Sequence, residues 1–289
     1  MSGYLSGVLA VLCINLIFAY GIFVPMAAGQ INLGGAGFQA IGAYTTAWLS
    51  SVAGLQLWLT VPAAMLAAAL IGCLISFLVL RTRGVYMVLA TFAFGEVVAG
   101  FLLRSDFFGG AIGMVVPVHV ALPLLVCCAA AVLLLTFYLM ATRLGLAMRS
   151  INDDEAAAIV MGINVRAVQV TAFTVGGAFA GLSGALYAHS FNFVEAQYFN
   201  SFLSIYVLLF VLIGGAQTAW GPLVGTVFFT LLPEVLRISG SWRFVGFGVA
   251  IVLMMMLRPQ GVITRAMVQR LSPRRWAPQC AGAGTWHGG

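Results

Sequence analysis

Residues 58–80 read WLTVPAAMLAAALIGCLISFLVL, and Arg81-Thr82-Arg83 ends the run. No charged side chain interrupts it, and a helix needs about 20 apolar residues to cross a bilayer core. Inside hydrocarbon every backbone N–H and C=O must find a partner within the protein, which only a helix or a closed barrel allows. A barrel strand alternates apolar and polar side chains, and this run does not. It predicts a membrane-spanning helix.

Working outward, 5–24, 84–103, 118–140, 166–188 and 242–257 read the same way, with further candidates at 201–214 and 218–236. The fold class expected is all-α: a polytopic transmembrane helical bundle of eight or nine spans, with one or two broken helices. The chain has 289 residues, 62% hydrophobic and 7% charged, with mean hydropathy +1.08, too few charges for a soluble surface.

All thirteen basic residues are Arg. A Walker A loop needs its Lys on the β- and γ-phosphates, so the chain carries no standard ATP-hydrolysing motor. No nucleophile–base pair, carboxylate pair or metal-ligand cluster stands out, so no catalytic residue, metal or cofactor is expected. The net charge of +6 is no nucleic-acid signal, because the Arg residues flank apolar runs. Cys13, Cys73, Cys127 and Cys128 lie within apolar segments and read as packed thiols. His119 and His189 stand near span ends, where an interfacial role suffices. No cleavable signal segment is recognised.

Three basic stretches set the orientation: Arg81 to Gly84, Arg143 to Arg166, and the tail from Arg258. The positive-inside rule puts all three in the cytoplasm, and even numbers of spans separate them, as shared sidedness requires. Arg104, Arg237 and Arg243 then fall outside. If 27–52 crosses the membrane the total is nine and the N-terminus is external; if it is re-entrant, the total is eight. The permease domain is taken as 1–271, with 272–289 a disordered cytoplasmic tail rich in Pro, Gly and Ala.

Gly and Pro interrupt the apolar pattern once in each half, at 25–37 and 214–222, and such pairs point to a transporter's pathway. The first holds Gly29, Gln30, Asn32, Gly34, Gly35 and Gly37. Gly at this density disfavours a continuous helix, and two amides are costly against lipid. A broken helix lining a polar cavity and close helix–helix contact through small residues both fit. The second interruption reads either as a break or as a turn between spans. Gly177, Gly181 and Gly184 read as a packing face.

The stretch Arg143–Arg166 contains Arg149 and Asp153-Asp154-Glu155, followed by Ala156-Ala157-Ala158. Acidic residues in a first turn complement the helix dipole, and Gly162 suits the end. A short exposed helix is expected, either a docking element or a solvated connector. Glu96 lies within span 84–103, where a charge is either a functional group or a structural hydrogen-bond acceptor. Glu234 could pair with Arg237.

Taken together, these stretches resemble the permeases of branched-chain amino-acid ABC importers, the LivM/LivH type. The resemblance rests on Gly29-Gln30-Ile31-Asn32-Leu33-Gly34, Ile41-Gly42-Ala43-Tyr44-Thr45, Arg83-Gly84-Val85-Tyr86 and Thr91-Phe92-Ala93-Phe94-Gly95-Glu96. It continues through Gly145 to Ile151, Gly162-Ile163-Asn164-Val165, Trp220-Gly221-Pro222, Leu232-Pro233-Glu234 and Arg258-Pro259-Gln260-Gly261. It covers about 15–263. The family pattern has Ser where Asn32 stands and His in the run held here by Gly35–Gly37, and longer relatives begin with an additional span.

The resemblance implies an ABC importer permease fold in the bacterial inner membrane, with a pathway lined by Gly29, Gln30, Asn32, Gly34, Gly35, Gly37, Tyr44 and Glu96. It implies coupling to the ATPase through Arg149, Asp153, Asp154, Glu155, Ala156, Ala157 and Gly162. Glu155-Ala156-Ala157 is similar to the EAA element of such permeases, with Gly162 one residue late. The implied partners are a second permease subunit, two ATP-binding subunits, an extracytoplasmic substrate-binding protein and membrane lipid. Two alternatives stay open: a permease of the same class for urea, short amides or another small organic solute, and an ATP-independent secondary transporter using Glu96.

Overall fold

The structure is a computed structural model that describes residues 2–82 and 84–235, with 248, 249, 251, 252, 254 and 256. Arg83, Arg237, Arg243, most of the 242–257 run and the tail from 257 lie outside the described residues. Ten α-helices are described: α1 Ser2–Ala27, α2 Gly35–Ser51, α3 Leu57–Val79, α4 Val85–Arg104, α5 Leu122–Ala141, α6 Arg143–Asp153, α7 Glu155–Val160, α8 Val165–Phe191, α9 Ser201–Gly215 and α10 Trp220–Val235.

Five of these helices are long and apolar enough to cross a membrane: α1 from Gly3, α3, α4, α5 and α8. The pair α9 and α10 would add a sixth as one broken unit, bent by 120°. The α5 helix begins at Leu122, later than the apolar run suggested. Pro123 suits the first turn of a helix but not its interior, and the backbone is still extended at Ala121.

The bundle is built around α8, flanked by α1, α2 and α3. Against lipid, apolar burial gives little drive for helices to associate, so contact depends on backbones approaching closely through small residues. The α3 sequence shows this: Leu66, Leu70, Leu74 and Leu78 face outward, while Thr60, Ala64, Ala68, Gly72 and Ser76 form the buried stripe. That stripe meets Gly177 and Gly181 of α8, and a Cβ added at Gly181 would collide with the Ala68 Cβ. Gly42 of α2 is as tight, since a Cβ there would collide with the Gly181 carbonyl oxygen. The packing reading of Gly177, Gly181 and Gly184 holds.

Direction follows from the same contacts. Gly21 lies against Ala180 and Gly176 against Pro25; Gly181 lies against Ala68 and Gly177 against Gly72. Both α1 and α3 therefore run antiparallel to α8, and residues 28–56 carry the chain back from one end of the bundle to the other. At the far end Met114↔Val194 and Val115↔Phe193 pair antiparallel as a two-stranded ribbon, β1 Met114–Val115 and β2 Phe193–Val194. There His189, expected at an interface, is fully buried, its Nε2 3.0 Å from Thr60 Oγ1 and its Nδ1 2.9 Å from the Val118 carbonyl oxygen. Of the four cysteines within apolar runs, Cys13 is buried but Cys127 is exposed on the outward face of α5.

Candidate pathway and coupling site

The α1 helix ends as its sequence allows. Gly29 takes φ +79°, the Gln30 N–H donates to the Pro25 carbonyl at 3.0 Å, and the Gly29 N–H donates to Met26 at 3.0 Å. This pair of bonds is a Schellman cap, for which Gly supplies the left-handed residue. The chain then stays non-helical until Gly35. Asn32 is buried and turns on itself, its Oδ1 accepting from the Gly34 N–H at 2.8 Å. The Leu33 N–H donates to Thr91 Oγ1 at 3.1 Å, and the Ala36 N–H to Ser204 Oγ at 2.7 Å. Orphan backbone donors of the break are thus met by side chains of α4 and α9, as buried backbone requires.

The two readings of this motif prove to be joined. The helix is broken, and its later glycines serve close approach: a Cβ at Gly34 would lie 2.6 Å from the Thr91 carbonyl oxygen, and one at Gly37 3.1 Å from the Gly95 Cα. Gly35 faces the Phe18 ring. Gly29 and Gln30, by contrast, line a cavity of about 480 Å³ whose other walls come from Arg81, Thr82, Gly84, Glu155, Ile159 and the start of α8. Gln30 is 1% exposed, and neither of its amide atoms has a hydrogen-bond partner among the described residues.

The break therefore meets the 143–166 segment at one end of the bundle. Asn152 of α6 is the nearest neighbour of Gly29, with its Cα 3.6 Å from where a Cβ would stand. Arg149 Nη2 donates to the Met140 carbonyl at 3.2 Å, bracing the elbow between α5 and α6. The acidic trio is not one first turn, as the sequence suggested. Asp153 closes α6, and Asp154 is the N-cap of α7, its Oδ1 accepting from the Ala156 and Ala157 N–H groups at 2.9 and 3.1 Å. Glu155 alone occupies the first turn of α7 and faces the cavity.

Gly162 then takes φ +81°, with its N–H donating to Ile159 and the Ile163 N–H to Ala158, a second Schellman cap. Ala156 is exposed and Ala157 half-buried, whereas Ala158 is buried against Ile151 and Val165. The feature that residue-by-residue reading missed is the tip: Ile159, Val160 and Met161 are apolar yet 55, 88 and 69% exposed. Their apolar run was the available signal.

Glu96 accepts hydrogen bonds from the Ser201 hydroxyl and, at 3.3 Å, from the Ser201 N–H at the start of α9. A carboxylate there complements the dipole of α9, although Glu96 remains exposed on the outward face of α4. Tyr44 is buried nearer the ribbon end, edge-on to Phe108 at 6.0 Å and Phe199 at 6.4 Å, and lines a separate apolar cavity of about 430 Å³ with Ile41, Phe94 and Phe101. It does not share the cavity of Gln30. In the second half, the α9–α10 turn is pinned to α1 by the Tyr20 hydroxyl, which donates to the Ala219 carbonyl at 3.0 Å.

Comparison with known proteins bears on this arrangement. The family described as branched-chain amino acid transport system / permease component matches residues 4–258. The high-affinity branched-chain amino acid transport system permease protein LivM of Escherichia coli K12 is 30% identical over 287 residues, covering 86% of this chain and 68% of LivM. LivM of Salmonella typhimurium gives the same identity and coverage. LivH of Escherichia coli K12 is 22% identical over 143 residues, covering 49% of this chain and 46% of LivH. No solved structure matches the chain.

Proposed function

The chain belongs to the branched-chain amino-acid transport permease family, and on that premise we propose how it works as the membrane-spanning permease subunit of an ATP-driven importer of branched-chain amino acids. It is a multi-pass protein of the bacterial inner membrane. A second permease subunit completes the membrane unit, separate ATPase subunits hydrolyse ATP, and an extracytoplasmic binding protein delivers the solute.

Nine crossings are inferred, with the N-terminus outside and α9 and α10 taken as two separate crossings joined by their sharp turn. The parallel course of α1 and α3 supports this, since residues 28–52 then cross between them, and the 242–257 run supplies the last span. The end that carries Arg81, Arg149 and Arg166 faces the cytoplasm by the charge rule.

The observation that carries the mechanism is the nearness of Gly29 to Asn152, whose Cα lies 3.6 Å from where a Gly29 Cβ would stand, which sets the broken helix beside the α6–α7 segment. The exposed apolar tip of α7 seats in a groove of the ATPase. Asp154 and Gly162 hold α7 in shape, Arg149 ties α6 to α5, and movement of the tip reaches Gly29 and Gln30 through Asn152. Only a partner that binds two arrangements of this segment with different affinity can shift access from one side to the other. The outward face of α4 with Glu96 turns toward the second permease or the route between the subunits, because a carboxylate facing lipid is costly.

Uptake by proteoliposomes containing both permeases, the ATPases and the binding protein tests the reading. Labelled leucine should enter only with ATP on the ATPase side, and isoleucine and valine should compete while urea does not. Uptake that persists without the ATPases and collapses with the ion gradient would overturn it in favour of a secondary transporter.

A further inference from the structure

The cavity beside Gln30 has features that the coupling mechanism does not use. Its volume of about 480 Å³ suits a small molecule. Two guanidinium-bearing residues, Arg81 and Arg166, stand in its wall, with Glu155 as the acidic member. The N-terminal turns of α4, at Gly84, and of α8, at Val165 and Arg166, also border it. Both helices point the positive end of their dipole there, which favours an anionic group.

Two further observations narrow the ligand. The Gln30 amide is buried with donor and acceptor both unpartnered among the described residues, an arrangement that costs stability unless a ligand or water satisfies it. The remaining wall combines apolar Leu80, Met87, Ile159 and Val165 with the polar side chains of Thr82 and Gln169. A carboxylate suits Arg81 and Arg166, an ammonium suits Glu155 and the Gln30 amide oxygen, and an aliphatic side chain suits the apolar part of the wall.

We propose that this cavity is a second amino-acid site on the cytoplasmic side, where accumulated product binds as a zwitterion and slows the importer. The inference rests on the function proposed above. Because Glu155 and Ile159 belong to α7 while the other walls belong to the bundle, a ligand in the cavity ties α7 to the bundle. A ligand that binds only one arrangement of α7 holds the cycle in that arrangement.

The test uses the complete complex in proteoliposomes, with lumenal ATP energising the molecules whose ATPases face inward. Initial uptake of external labelled leucine and ATP hydrolysis are measured with the lumen empty of amino acid or loaded with millimolar leucine, 4-methylpentanoate, isopentylamine or phosphate. Lumenal leucine should slow both readouts about 5-fold or more, a typical coupling between two sites, and the three analogues should act weakly. Arg166→Gln, and independently Gln169→Leu in the same wall, should keep wild-type uptake with the empty lumen and lose most of the slowing.

No uptake even with an empty lumen would overturn the transport function itself. Normal uptake indifferent to lumenal leucine would overturn only the cytoplasmic site. Equal slowing by phosphate, equal slowing in wild type and both variants, or loss of empty-lumen uptake in correctly assembled variants would each overturn it as well.

Discussion

A Cβ at Gly184 would collide with the Gln39 carbonyl oxygen and stand 2.9 Å from the Ala43 nitrogen, both backbone atoms. Neither neighbour can rotate away, so Gly184→Ala must push α8 and α2 apart. The expected loss is about 1–3 kcal/mol, seen as a lower melting temperature in detergent, whereas Gly7→Ala, with nothing within 4 Å of its Cβ position, should leave it unchanged. Asp154 allows a second prediction. Asp154→Ala removes the cap of α7 and should cost about 1 kcal/mol, read as faster amide exchange at Ala156 and Ala157, while Asp154→Asn keeps most of the protection. That an acidic cap begins a short helix here was legible in the residues. Which of three adjacent acids does the capping was not, because each could accept the same N–H groups until the preceding helix ended at Asp153.

Among the elements, α7 is the one that joins a buried foot to an exposed apolar tip. Ala158 fastens it to Ile151 and Val165, while Val160 presents its side chain almost fully to solvent. Val160→Glu would bury a charge in the proposed ATPase groove, a cost of several kcal/mol if unpaired. Co-purification with the ATPases should fall at least about 10-fold, with membrane insertion unchanged; normal co-purification would remove α7 from the coupling surface. The broken α1–α2 unit shows what a motif can and cannot reveal. The cluster of Gly with Gln30 and Asn32 marked a break, since helix propensity is local. It did not reveal that Asn32 satisfies Gly34, or that Thr91 and Ser204 complete the backbone pairing, because those partners come from distant helices.

For the whole molecule, the inferred sidedness has a direct check. In intact cells Ile112→Cys, on the ribbon end and 85% exposed, should react with an impermeant maleimide, and Val160→Cys should react only after permeabilisation. Labelling of Val160→Cys from outside would invert the bundle and remove the coupling mechanism with it. Long uncharged runs bounded by Arg determined by themselves that this chain lives in a bilayer as helices, because lipid cannot satisfy an open backbone. The absence of Lys likewise left these residues without the lysine that a Walker A loop places on the phosphates. Only the tertiary structure decided that Glu96 serves Ser201, that Tyr44 and Gln30 line different cavities, and that Gly29 lies beside Asn152. Those are matters of which small residues let which backbones touch, and that depends on the three-dimensional course of α8 and its neighbours, which no local pattern encodes.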